Sequence, residues 1–372
     1  MTSIIYVGMD VHTTNYTLCC YSMEDDRFFA EVQVEPDAKN ILKYLARIEK
    51  QQSRDCRIVC GYEAGCLGYS LYHQLHAHGI DCVILAPTTM MTKPGKRIKT
   101  DRRDARLISK CLAFHTYRPV YIPTEMDDPV KEYIRMRDDA NSALARVKQQ
   151  IIAFCIRHGK IHDGKSYWTN KHLEWLSSLD LGNKILSEVL QEYLIRYYQL
   201  REQVDMYDMR INELAQAEPY RQKVEKLGCF RGIAAHTALS FCVEVGDFRR
   251  FATAQQFASY LGLVPGECSS GDKQQYTGIT KAGNSHLRKL LVETAQVFGR
   301  SATKSGKSVA LKERQAKCDS LTVAYADKAN ARLKKKYFKI AMRSKANIAK
   351  TAVAREMACF IWGMMTDNIS CA

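Results

Sequence analysis

Apolar residues in positions 3–84 alternate between short continuous runs and segments with helical spacing. Continuous runs rich in β-branched and aromatic residues predict strands, and three of them come first: IIYVGMDV, NYTLCCYSM and RFFAEVQVE. Residues 37–50 then place apolar side chains at helical spacing, and SLYHQLHAHG is a second helix between the predicted strands RIVCGYE and DCVILA. The order β-β-β-α-β-α-β predicts a mixed sheet that begins as a meander and continues through helical crossovers.

Beyond position 84 the pattern becomes mainly helical. The basic loop MMTKPGKRIK leads into a helix that starts at Asp101, with Thr100 as its N-cap. Residues 127–222 contain two long polar stretches with apolar residues at three- and four-residue steps, which predict an antiparallel helical hairpin or coiled coil. The aromatic-rich segment between them, HDGKSYWTNKHLEWLSSL, is expected to pack at the tip or base of this arm.

From about residue 223 the predicted helices are shorter. KLGCFRGIAAHTALSFCVEVG predicts two helices about a glycine turn, VPGECSSGDKQQYTG a polar loop, and HLRKLLVETAQVFG an amphipathic helix. We therefore expect an α/β plus all-α protein with three domains: an N-terminal α/β domain (1–122), a helical coiled-coil arm (123–222) and a mainly helical C-terminal domain with a basic tail (223–372).

The charge balance points to a polyanionic partner. The chain has 55 Lys and Arg against 40 Asp and Glu, which gives a net charge of +15. No apolar run is long enough to span a membrane, and MTSIIYVGMD lacks the basic start of a secretory signal. The 14 cysteines are scattered through apolar segments, as in a reduced protein, so we expect a cytoplasmic location.

Four carboxylates have informative positions. Asp10 ends the first predicted strand and Glu63 the fourth, while Asp101 and Asp104 share one helix face. Acids gathered at such a place repel each other unless cations neutralise them, and hard oxygen ligands suit Mg²⁺ or Mn²⁺ in phosphoryl transfer. Each acid alone is also explained without catalysis, because acids are common at strand ends and favourable in a first helical turn.

The segments YVGMDVH, CGYEAGCLGYSL, KTDRRDARLI and GLVPGECSSGDKQQYTGITKAGNSHLRKLL resemble the IS110/IS1111 family of transposases, in the same order. The resemblance implies an N-terminal RuvC-like domain of RNase H fold. It also implies that the family's Asp-Glu-Asp-Asp metal set falls on Asp10, Glu63, Asp101 and Asp104.

A serine is the second candidate catalytic group. Composition alone makes Ser269-Ser270-Gly271 part of a flexible polar loop. The family resemblance implies a nucleophilic serine in a Ser-Gly step, which is Ser270 here, with Ser269 as its neighbour. It further implies a phosphoserine link to DNA, a site completed between subunits of a homodimer or homotetramer, and a structured non-coding RNA that selects the DNA.

Basic residues cluster in three places where phosphate contacts are expected, although such runs also form ordinary solvated faces. These candidates for nucleic-acid binding are Lys96, Arg97, Lys99, Arg102 and Arg103; Lys281, His286, Arg288 and Lys289; and Lys334, Lys335, Lys336 and Arg343. The two predicted helices near 223–246 resemble a helix-hairpin-helix clamp, but only Gly232 and Ile233 of the family's Pro-Gly-Ile-Gly turn are present.

These features together predict a DNA recombinase of the transposase type. Two other functions remain open. The first is a RuvC-like junction-resolving endonuclease in which water attacks the DNA, and the second is a basic nucleic-acid-binding protein without catalysis.

Overall fold

The chain divides into two compact units, Met1–Ile122 and Pro123–Ala372. The structure is a computed structural model that describes residues 3–51, 56–65, 67–90, 100–267, 275–300 and 306–369. Among these residues, no helix has the length and apolar character that crossing a membrane requires.

The first unit has the predicted order of strands and helices. The elements are β1 (Ser3–Val11), β2 (Tyr16–Ser22), β3 (Arg27–Val34), α1 (Ala38–Gln51), β4 (Cys56–Glu63), α2 (Ser70–Ala77), β5 (Asp81–Leu85) and α3 (Asp101–Ala113). The sheet runs β3-β2-β1-β4-β5, with β1–β2 and β2–β3 antiparallel and β1–β4 and β4–β5 parallel. This mixed sheet confirms the predicted meander followed by crossovers, an arrangement consistent with an RNase H-like domain.

Strand β1 is buried on both faces, which explains why its sequence is a continuous apolar run. Ile5, Val7 and Met9 belong to the core with α1 and α2, whereas Tyr6 belongs to the core with α3. Between these side chains, Gly8 lets the backbone of α3 lie against the strand. A Cβ at Gly8 would overlap the Ala105 carbonyl oxygen and the Ser109 backbone nitrogen.

The described residues of the second unit form helices and a small hairpin. Its elements are α4 (Asp127–Arg157), α5 (Asn170–Ser177), α6 (Lys184–Gln216), α7 (Arg221–Gly228), α8 (Ala235–Val245), α9 (Ala254–Tyr260), β6 (Pro265–Glu267), β7 (Tyr276–Ile279), α10 (Ser285–Ala295), α11 (Val309–Gln315), α12 (Ser320–Ala341) and α13 (Ala346–Met365). Helices α4 and α6 form the predicted antiparallel arm, and α5 packs at its tip, where Leu173 and Leu176 share a core with Phe154 and Leu190.

The base of the arm and the C-terminal helices share a single core. Val130 of α4 and Ile211 of α6 are buried with Phe241 of α8 and Met357 of α13. The expected basic tail is instead mostly helical: residues 328–341 lie in α12 and 346–355 in α13, and the apolar faces of both helices contribute to this core. The division into three domains stays a prediction.

The predicted polar loop around the serine pair is bordered by strands. β6 and β7 pair antiparallel, with Pro265 opposite Ile279 and Glu267 opposite Tyr276. The prediction of a loop was wrong at these residues because strands of three and four residues are too short to show alternation. Residues 268–274, between the two strands, lie outside the described part of the chain.

The contact at Gly8 can be tested by Gly8→Ala. The added methyl group has to push α3 away from β1, so we expect the free energy of unfolding to fall by about 3 kcal/mol, the upper end for overpacking. Urea denaturation measures this change. Gly65→Ala is the matched control, because the nearest described atom to a Cβ there would be the Glu63 carbonyl oxygen, at 3.8 Å. Equal stability of the two variants would contradict the assigned role of Gly8.

Candidate functional site

Asp10 lies near the end of the central strand. Its neighbour Met9 pairs with Tyr62 of β4, and Asp10 itself pairs with Thr17 of β2. Only 14% of the Asp10 side chain is exposed. The carboxylate is therefore held at the edge of the sheet by strands on both sides, in a position where few water molecules reach it.

Helix α3 brings further acids to the same place. The Thr100 hydroxyl accepts a hydrogen bond from the Arg103 backbone N–H, so the helix begins at Asp101, as predicted. One ligand atom each from Asp10, His12 and Asp101 can be chosen so that all lie within 4.8 Å of one another. The structure thus combines two carboxylates and one imidazole in a group that can hold a metal ion.

The surroundings of Asp10 favour a nearby positive charge. Burial raises the pKa of Asp10 and the negative charges of Asp104 and Asp101 raise it further, whereas His12 partly opposes them. His12 Nε2 lies 3.3 Å from Asp10 Oδ2. Apart from this contact with His12, the buried oxygen has no hydrogen-bond partner among the described residues. A buried carboxylate oxygen with so few partners, beside a second acid and an imidazole, fits a bound divalent cation.

The other two predicted acids stand apart from this group. Asp104 is near enough for its charge to raise the pKa of Asp10, but it does not belong to the three residues with ligand atoms within 4.8 Å. Glu63 ends β4 directly after Tyr62, beside the end of β1, and is exposed. It also lies outside the three-residue group.

His12 was not among the predicted ligands. Its sequence signal is the spacing Asp10-x-His12, which puts two side chains on one side of an extended segment. That signal is weak, because it becomes meaningful only once α3 supplies Asp101.

A groove adjoins the group through Asp101. It has a volume of ≈ 410 Å³ and is lined by Thr17, Glu31, Val32, Gln33, Thr100, Asp101 and Arg102. Arg102 and Arg106 both form ion pairs with Glu31, at 3.3 and 2.7 Å. The predicted phosphate ligand Arg102 therefore stands at this groove, with a carboxylate partner already in contact.

Comparisons with known proteins agree with these features. Residues 7–156 match the DEDD transposase domain of the IS110 type, and residues 225–314 match the domain described as transposase IS116/IS110/IS902 family. A putative transposase, y4qE, of Sinorhizobium fredii is 35% identical over 307 residues, which cover 82% of this chain and 75% of the relative. The transposase for insertion sequence element IS1533 of Leptospira borgpetersenii is 32% identical over 340 residues, or 90% of this chain and 95% of the relative.

The chain belongs to the IS110 family of transposases. It is therefore related to enzymes that process DNA during the transposition of insertion sequences. Its DEDD domain suggests a divalent metal ion, and the group of Asp10, His12 and Asp101 offers suitable ligands.

Several predicted residues of this IS110-family transposase lie outside the described part of the chain. Ser269 and Ser270 fall within residues 268–274, between β6 and β7. Lys96, Arg97 and Lys99 fall within residues 91–99, before α3. Their roles stay predictions.

The basic residues after the hairpin have different surroundings. The Arg288 guanidinium donates hydrogen bonds to the carbonyl oxygens of Leu261, at 2.9 Å, and Ala282, at 3.1 Å. Lys281 and Lys289 are exposed, so their side chains are accessible to phosphate. Both ring nitrogens of His286 contact carboxylates, Glu244 at 2.6 Å and Asp138 at 2.7 Å. His286 thus offers no free ring nitrogen to nucleic acid in this arrangement.

The predicted basic patch on α12 and α13 is partly neutralised. Glu356, on α13, forms ion pairs with Arg332 and with Lys336, the latter at 2.6 Å. Although burial opposes it, these contacts hold the pKa of Glu356 below its usual range. Lys335 and Arg343 are exposed and form no ion pair with any described residue. They are therefore better candidates for phosphate contacts than Lys336.

The role of His12 can be tested by His12→Ala. An imidazole nitrogen suits transition metals better than Mg²⁺, so we expect Mn²⁺ affinity to fall roughly tenfold while Mg²⁺ affinity changes less. Isothermal titration with each ion measures both values, and Asp10→Asn should weaken both. If His12→Ala weakened both ions equally, His12 would be acting through its ion pair with Asp10 and not as a ligand.

Proposed function

We propose that the chain is a Mg²⁺- or Mn²⁺-dependent transposase that cuts and rejoins DNA through a covalent link to Ser270. The observation that carries the proposal is the grouping of Asp10, His12 and Asp101 in a chain of the IS110 family. A buried carboxylate oxygen that has His12 as its one contact among the described side chains, and a second acid beside it, is typical of a metal ligand and is costly in a purely structural site.

The residues of the first unit would hold the cation and the DNA phosphate. Asp10, His12 and Asp101 are the proposed ligands. Asp104, whose charge acts on Asp10, and Glu63, at the end of the strand next to β1, are proposed as the remaining members of the family's four-acid set. A divalent cation bound there supplies positive charge that stabilises a phosphate under attack. We propose that Arg102 and Arg103, exposed in the first turn of α3, bind the flanking phosphates, which for Arg102 requires exchange of its ion pair with Glu31.

The proposed nucleophile is Ser270. Its hydroxyl oxygen forms a bond to phosphorus, the bond between phosphorus and one strand oxygen breaks, and that strand leaves as a hydroxyl. The phosphoserine link keeps the energy of the broken bond, so attack by another strand hydroxyl can rejoin DNA without an added energy source. The hydroxyl proton has to pass to a base, because a serine does not ionise near neutral pH.

Two partners beyond DNA belong to the proposal. We infer a homodimer or homotetramer, in which the metal-binding unit of one subunit works with the serine of another, and a structured RNA that directs the DNA choice. The surplus of basic residues is consistent with both DNA and RNA as polyanionic partners.

The serine proposal predicts that Ser270→Ala abolishes the covalent protein–DNA adduct while DNA binding remains. Denaturing gels of protein incubated with labelled element-end DNA and Mn²⁺ measure adduct formation, and Ser269→Ala is the matched control. Asp10→Asn should abolish strand cleavage altogether. If Ser270→Ala still cuts DNA and wild type forms no adduct, the chain is a nuclease in which water attacks. If wild type binds DNA but never cuts it, the non-catalytic function is correct.

The exposed basic residues predict a change in salt dependence. Log affinity falls with log salt concentration, and Lys335→Ala and Arg343→Ala should each make this negative slope shallower by about 0.9, the effect of one lost phosphate contact. Fluorescence anisotropy with duplex DNA at several salt concentrations measures the slope. Lys336→Ala is the matched control. Because Lys336 already neutralises Glu356, its loss should lower thermal stability and leave the slope unchanged.

A further inference from the structure

A network of charged side chains joins arm helix α4 to α8 and α10, which pack beside the hairpin of β6 and β7. We call this hairpin the serine hairpin, because Ser270 lies between its two strands in the sequence. At the centre of the network is His286, in the first turn of α10. Its Nε2 is 2.7 Å from Asp138 Oδ2 on α4, and its Nδ1 is 2.6 Å from Glu244 Oε1 on α8. Residues 138 and 286 are separated by 148 positions in the chain, so this contact ties together distant segments.

The two carboxylates require both ring nitrogens of His286 to carry protons. A carboxylate accepts hydrogen bonds and donates none when ionised, so both N–H groups of an imidazolium are needed. Burial alone would lower the pKa of His286, but its hydrogen bonds to Asp138 and Glu244 and their charges raise the pKa to about 9. The same contacts, with those of His236 on Asp138, hold the pKa of Asp138 and of Glu244 below the usual range despite burial.

The other charged groups of the network lie on three helices. They are Arg135, Arg137 and Asp138 on α4, Asp208 on α6, and His236 and Glu244 on α8. Arg137 binds Asp208 with two hydrogen bonds, at 2.7 and 2.9 Å, and also contacts Asp138. The side chain of Glu244 is only 2% exposed, so the network depends on its internal partners more than on water.

The same network holds the base of the hairpin formed by β6 and β7. The Asn284 side-chain amide donates to Glu244 Oε2 at 2.5 Å, and the Asn284 backbone N–H donates to the Tyr260 carbonyl at 3.0 Å. The backbone N–H groups of Thr280 and Lys281 donate to the carbonyls of Val264 and Gly262, at 2.9 and 3.1 Å. The chain therefore enters β6 and leaves β7 through one hydrogen-bonded base, residues 260–264 and 280–284. Asn284 ties this base to Glu244, which is also the partner of His286.

We propose that His286 is a positioning residue that ties the base of the serine hairpin to arm helix α4 by bridging Asp138 and Glu244. A change in the arm, such as that imposed by a nucleic acid or a second subunit, is then transmitted to the segment that carries Ser270. This consequence for catalysis rests on the proposed function of Ser270, whereas the mechanical link does not. In this proposal His286 acts through the position of the hairpin and does not contact the reacting atoms.

The link can be measured by hydrogen–deuterium exchange in the full chain without DNA. Asp138→Asn removes one charge from α4 and leaves the shape of the side chain nearly unchanged. We expect it to speed the exchange of the amides of residues 280–284 by about tenfold, since a lost partner leaves His286 half paired in a buried site. His286→Gln should have the same effect.

Asp208→Asn is the matched control, because it also removes one charge from the arm and breaks a pair with Arg137. It leaves the bridge through His286 intact, so the exchange of residues 280–284 should change less than twofold. If Asp208→Asn matched Asp138→Asn, or if Asp138→Asn left these amides unchanged, the proposed link would be wrong.

A second measurement reads the protonation of His286 in the unsubstituted protein, and a variant serves only to assign its signals. Nitrogen spectra of ¹⁵N-histidine-labelled protein report whether each ring nitrogen carries a proton, and the signals absent from His286→Gln belong to His286. We expect both nitrogens of His286 to be protonated at pH 7.5 and to lose one proton near pH 9. A neutral His286 ring at pH 7.5 would overturn the proposal.

Activity separates this inference from the proposed function. If Ser270 is the nucleophile, His286→Gln should slow adduct formation at saturating DNA without weakening DNA binding, because it disturbs position and not contact. If Ser270→Ala keeps the adduct, the function proposed for Ser270 fails, but the exchange experiment still decides the link between the arm and the hairpin.

Discussion

Helix α3 lies with its backbone directly on strand β1, and this contact is possible only because Gly8 has no side chain. The close approach places the first turn of α3 over the end of β1, where Asp101 meets Asp10 and His12. Ile108 and Leu112, buried further along the helix, hold it there by apolar contact. Apolar packing further along the helix thus offsets the repulsion between the carboxylates in its first turn and Asp10. A bound cation would relieve that repulsion.

The charged groups around His286 and those around Asp10 differ in their balance of charge. In the second unit, Asp138 and Glu244 both contact His286 by short hydrogen bonds, so acids and bases alternate in the network. In the first unit, Asp10 lies near Asp101 and Asp104, and His12 is its nearest basic partner. The balanced network therefore fits a structural link between helices, and the acid-rich group fits a site that takes a cation.

The net charge of +15 conceals an uneven distribution of usable charge. Arg332 and Lys336 are engaged by Glu356, Arg102 is engaged by Glu31, and Arg288 donates to backbone carbonyls. These residues stabilise helices and turns and have less capacity to bind phosphate. Exposed residues such as Lys335 and Arg343 remain for that purpose, so the interaction surface is smaller than the composition suggests.

The sequence by itself determined the features that depend on neighbouring residues. The order of strands and helices in the first unit, the N-cap at Thr100 and the long helices of the arm all follow from local periodicity and capping. Tertiary structure alone decided which groups meet. His12 joins Asp10 and Asp101, Glu63 stays apart from them, and His286 bridges Asp138 and Glu244. Such contacts bring together residues far apart in the chain, and helix packing sets the geometry of the contacts. The sequence shows little of this packing beyond the small residue Gly8 in β1. The sequence also did not predict the strands β6 and β7. They are strands because they pair with each other, and their short residue pattern does not show this.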